Sequence, residues 1–194
     1  MVGSYRRSLI AALSLLGVAA CSHSEPGSDA KGSATTAAAA IDPVAGAMAA
    51  APAAVSAKAA IVAANADGTM KTLRAGTNGF TCMPDNPVTP GPDPMCMDAN
   101  ATQWAMAWMK HAPPPKEITG FMYMLAGGTD ASNTDPYAKE PTKGDDWVKT
   151  GPHVMIVGSE KALQGYPSGP SPDTAQPYVM WAGTPYAHLM IPVS

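Results

Sequence analysis

Residues 178–191 read YVMWAGTPYAHLMI. Two apolar runs, Tyr178 to Trp181 and Ala187 to Ile191, are joined through AGTP, a connection far too short to hold a crossover helix. Strands joined this closely run antiparallel. Working outward, the same kind of short apolar run recurs at His153 to Val157 and at Thr119 to Leu125, each bounded by Gly or Pro and rich in strand-favouring side chains. The segment before Tyr178, PSGPSPDTAQP, carries too much proline to be helical. The consistent fold class is α+β: an antiparallel sheet with one or two helices packed on one side, in a single domain with proline-rich loops and one disulfide.

The remaining elements follow from local signals. Residues 44–51 are alanine-rich and predict one short helix, which ends before Ala51 because Pro52 interrupts it. Residues 59–64 and 69–74 flank Asn65, Ala66, Asp67 and Gly68, turn chemistry that predicts a hairpin. A short strand is expected around Phe80 to Met83. Ala101, Trp104, Ala105, Trp108 and Ala112 recur at helical spacing, with Asn100 and Gln103 as a capping box, so a helix should run from Ala101 to Lys110 and stop before Pro113. Trp104 and Trp108 are expected to dominate its core contact, and His111 to sit favourably at its C-terminal dipole. Ser159 to Leu163 reads as one short capped helix.

The N-terminus is of a different kind. Arg6 and Arg7 precede the apolar stretch Leu9 to Val18, and the small residues Ala19 and Ala20 precede Cys21. This is the pattern of a secretory signal over 1–20, too short to remain as a membrane span. Val18, Ala19, Ala20 and Cys21 resemble the lipobox of bacterial lipoproteins. That resemblance implies a diacylated Cys21 as the mature N-terminus, a membrane partner held through that lipid, and an envelope address. Ser22 in place of aspartate favours the outer membrane over the inner. Residues 21–42 are poor in large apolar side chains and read as a flexible tether containing His23, leaving 43–194 as the folded domain.

Composition narrows the partners. The chain has 194 residues, 46% apolar and only 14% charged, enough to bury a core. Its formal charge of −3 becomes −5 when Arg6 and Arg7 leave with the signal, which argues against nucleic acid. A small-molecule or protein partner is compatible with that charge. Once Cys21 is assigned to the anchor, Cys82 and Cys96 remain, and in an exported chain they read as a disulfide. The segment between them, MPDNPVTPGPDPM, is stiffened by five prolines. A metal-thiolate pair is the alternative, and no further cysteine exists to complete it.

No standard catalytic fingerprint is present. The segment from Ala126 to Trp147 is long for a compact domain and crowds oxygen ligands at Asp130, Ser132, Asn133 and Asp135, but an EF-hand register from Asp130 fails at its sixth and twelfth positions. Such side chains more often cap turns and bond their own backbone. A hydrolase using His153 with Asp130, Asp145 or Asp146 is one candidate chemistry. Methionine supplies another, because 13 copies stand beside only two phenylalanines. His153 with Met155 and His188 with Met190 form two His-x-Met pairs in expected strands, where the two-residue period puts both members of a pair on one face. Imidazole with thioether suits Cu(I), with Met122, Met124 and Met180 at comparable strand positions. The competing explanation is that methionine fills a core short of Phe and Leu.

From about Thr77 onward the chain resembles exported bacterial envelope proteins of no assigned function, over TNGFTCMPDNP, GGTDASNTDPYA, GPHVMIVG and MWAGTPYAHLMIPV. The resemblance implies no activity and no catalytic residues. Read together, these signals point to a lipid-anchored binding or interaction domain of the cell envelope, with a Cu(I) protein and a hydrolase as the alternatives.

Overall fold

In the computed structural model, residues 42–89, 91–141 and 146–193 are described. The signal, Cys21, His23, tether residues 21–41 and Asp145 lie outside them. Asp42 accepts a hydrogen bond from the Val44 amide at 3.2 Å, and Pro43 opens α1 (Pro43–Met48). Pro52 does break this helix, as expected. It also starts a second, α2 (Ala53–Ser56), since its fixed φ is already compatible with a helix entry.

β1 (Ala60–Ala64) and β2 (Met70–Arg74) form the expected hairpin. Gly68 turns it at φ +79°, a value that favours glycine, and the Asp67 carboxylate accepts from the Thr69 amide at 2.9 Å. β3 (Thr81–Met83) then pairs with β1 in parallel, the one departure from the antiparallel pattern. To arrive there the chain passes closely over β1, and a Cβ on Gly76 would fall 2.7 Å from the Ala60 Cα. β4 (Met95–Met97) emerges from the proline-rich segment and places Cys96 directly opposite Cys82, where the two form the expected disulfide.

α3 (Ala99–Met109) begins one turn's fraction earlier than the capping box suggested. Asp98 is the cap, accepting from the Ala101 amide at 2.7 Å through one oxygen and from the Phe121 amide at 3.0 Å through the other. Asn100 instead donates to the Thr119 carbonyl. The helix ends at Met109, and His111 just beyond its C-cap adopts φ +52° before the proline run. β5 (Gly120–Met124), β8 (His153–Val157), β9 (Tyr178–Met180) and β10 (His188–Pro192) complete a sheet of order β2-β1-β3-β4-β5-β8-β10-β9. A 3-10 turn at Glu160–Leu163 occupies the expected capped-helix position, without a side-chain cap from Ser159. The long loop carries a small ribbon of its own, β6 (Ala131–Ser132) with β7 (Trp147–Val148).

The mainly antiparallel α+β architecture is as expected, while the helices cover both faces of the sheet rather than one. α1 and the turn that joins it to α2 pack Ala47, Ala50 and Ala51 against Ile61 and the disulfide. On the opposite face α3 sets Ala101, Trp104 and Ala105 over the main core. Among the described residues that core holds seven buried methionines: Met83, Met97, Met122, Met124, Met155, Met180 and Met190. The strand register explains their alignment. Met97, Met122, Met155 and Met190 lie side by side across β4, β5, β8 and β10, and the row ends at Tyr178 of β9. Unbranched thioethers fill this space where few Phe and Leu side chains are available.

Candidate functional site: the cavity beside His153

His153 and His188 both lie on the methionine face, and both are buried. His188 pairs with Met180, whereas His153 pairs with Met124 on one side and Pro192 on the other. Because β8 and β10 are antiparallel with Met155 opposite Met190, the two histidines fall at opposite ends of that pair. Four residues of strand separate them, about 13 Å. The expected set of His153, Met155, His188 and Met190 is therefore not one cluster. It divides into two surroundings.

His188 belongs to an aromatic core. Trp104 and Trp181 meet it edge-on with ring centroids 5.4 and 4.8 Å away, and the two indoles stack on each other at 6.2 Å. Trp108 continues the stack onto Trp181 at 5.6 Å. Burial pushes the His188 pKa down to about 4, the Tyr186 carbonyl opposing this and a smaller charge effect of His153 adding to it. The imidazole is thus neutral at neutral pH.

His153 borders solvent-accessible space. A cavity of about 340 Å³ opens beside it, lined by Thr150, His153, Thr174, Tyr178, Met190 and Pro192 among others. The His153 ring is fixed by its Nδ1, 2.7 Å from the Gly151 carbonyl. A carbonyl only accepts, so Nδ1 carries the proton, and Nε2 of the neutral ring is left as an acceptor with no partner among the described residues. Burial lowers the His153 pKa, with the Gly151 hydrogen bond acting against it. The Tyr178 hydroxyl is buried and without a partner among the described residues, and burial raises its pKa to about 12, so it remains a phenol. Gly128 allows the ring to sit where it does, since a Cβ there would come within 2.8 Å of the His153 Cε1. The paired glycines 127 and 128 are a sequence sign of such a close approach, and Tyr178 gave no sign beyond its place in an apolar run.

Of the carboxylates proposed for His153, Asp145 lies outside the described residues, and Asp130 and Asp146 make no bond to the ring. Among the described residues neither a hydrogen bond nor a charge effect from a carboxylate reaches the ring. Asp146 accepts instead from Ser132 at 2.9 Å and from Thr134, bonds that hold its pKa below the usual range. Ser132 in turn accepts from the Asp135 amide at 3.0 Å, and Asp135 from the Tyr137 amide at 2.8 Å. These side chains bond their own loop, as such residues commonly do. No group of three or more His, Cys, Asp or Glu positioned for a metal occurs among the described residues.

A second cavity, about 420 Å³, lies between Pro113, Pro136, Tyr137, Pro185 and Tyr186 beside His111. His111 stacks on Tyr137 at 4.0 Å, and Tyr186 donates to the Ala112 carbonyl. No helix among the described residues is long and apolar enough to cross a membrane. No family model, curated protein or solved structure matches the chain.

Proposed function

We propose that the chain is a lipid-anchored binding protein of the bacterial cell envelope, attached through Cys21, with the His153 cavity as its ligand site. One observation carries the binding reading: the buried Tyr178 hydroxyl and the His153 Nε2, neither with a hydrogen-bond partner among the described residues, belong to residues lining one open cavity. Buried polar groups left unpaired are costly, and a bound molecule that satisfies them recovers that cost. The anchor rests on the lipobox resemblance, and the outer membrane on Ser22.

The test has two arms. Cys21→Ala should move the protein out of the membrane fraction, and unchanged fractionation would refute the anchor. Native mass spectrometry of protein released from envelopes should show an added mass that disappears in Ala175→Trp, because Ala175 lines the mouth of the cavity and is exposed. Identical spectra from both proteins would refute the ligand site.

A further inference from the structure

Taking the His153 cavity as the binding site, we infer that its ligand is a soft monovalent metal ion, Cu(I), held by the His153 Nε2 and the Met190 sulfur with Met124 and Met155 as flanking thioethers. The register brings these four together. Met124 is directly opposite His153 on β5, Met155 is two residues along β8 on the same face, and Met190 is the diagonal neighbour on β10. Direct and diagonal cross-strand neighbours are within reach of long side chains. His153 and Met190 line the open cavity, so an ion entering it meets an imidazole and a thioether first.

The donor chemistry selects the ion. Hard cations such as Ca²⁺ and Mg²⁺ need carboxylate or carbonyl oxygen, and zinc sites are built from thiolate, imidazole and carboxylate. Around His153 the described residues offer no carboxylate and no thiolate, because both core cysteines are in the disulfide. Tyr178 is protonated and so is no phenolate ligand. Thioether and neutral imidazole remain, a set suited to Cu(I). The carbonyl of Gly151 on Nδ1 is the kind of outer contact that fixes the tautomer of a metal-binding histidine. His188 is excluded from this set by its position behind Trp104 and Trp181.

The experiment is anaerobic competition of the full chain against bicinchoninate for Cu(I), with Zn²⁺ run in parallel. Wild type should bind Cu(I) at one site per chain and leave Zn²⁺ free. Met190→Leu conserves volume and should keep the fold, verified by circular dichroism, while weakening Cu(I) roughly tenfold or more. His153→Asn should do the same. Met180→Leu lies beside His188 in the same core and should leave affinity unchanged. Failure of wild type to compete overturns the metal. So does unchanged affinity in both Met190→Leu and His153→Asn, or equal loss in Met180→Leu, either of which puts copper elsewhere. The cavity reading is separable: an added mass lost in Ala175→Trp, with no Cu(I) binding, would keep the site and reject the metal.

Discussion

Replacing Gly120 by alanine tests how closely α3 is seated on the sheet. Gly120 begins β5 beneath the first turn of the helix, and an added Cβ would lie 2.6 Å from the Ala101 Cα, 2.9 Å from its Cβ, and closer still to its amide nitrogen. Ordinary contact begins near 3.4 Å, so relieving the closest of these contacts requires the backbone to open by roughly 1.1 Å. A flexible side chain could turn away. Here the obstacle is the helix backbone, pinned by Asp98 to both the Ala101 and Phe121 amides. Overpacking of this kind costs about 1–3 kcal/mol, and a rigid obstacle puts the expectation at the upper end. For a domain of this size 1 kcal/mol is worth about 2–4 °C, so Tm should fall by about 6–12 °C. Thermal unfolding followed by circular dichroism and tryptophan fluorescence measures it, with Gly169→Ala, which meets nothing within 4 Å, as the control. A Gly120→Ala protein within a degree of wild type would refute the seating of α3 described above.

Acid should expose the cost of the aromatic cage. His188 is depressed to about 4 in the folded chain and returns to about 6.5 on unfolding, so its contribution is full above pH 6.5 and is lost as pH falls toward 4. Tm measured at pH 7 and pH 4.5 should drop further in wild type than in His188→Leu, and equal drops would contradict the burial argument. The disulfide predicts that neither Cys82 nor Cys96 is alkylated in intact protein until a reductant is added. Full labelling without reductant would remove the bond.

Signals contained within one segment were legible in the sequence, and those depending on which segments meet were not. The Asn65 to Gly68 turn and the apolar runs at Thr119 to Leu125, His153 to Val157 and Ala187 to Ile191 were read correctly because their determinants are local. Pro52 was read as a stop alone, since a proline at a helix entry looks the same in sequence as one at a helix end. Asn100 displaced Asp98 as the cap because the second ligand of Asp98, the Phe121 amide, is far along the chain. β4 is three residues of Met, Cys and Met whose partners are distant, with no β-branched side chain to mark it. The site shows the same division. A two-residue period places His153 with Met155 and His188 with Met190. The offset between β8 and β10, which separates the histidines and brings Met124 to His153, is fixed only by pairing.

The methionine face gives the sheet an internal recorder of its own opening. Every strand of the eight-stranded sheet except β1 carries at least one methionine. Peroxide converts a thioether to a sulfoxide only when it can reach the sulfur, and the polar product does not fit the packed core. Exposed Met109 on α3 reacts from the closed state, whereas buried Met122 and Met190 must wait for the strands around them to part. The order in which sulfoxides accumulate along the chain therefore reads out, strand by strand, which part of the sheet separates first.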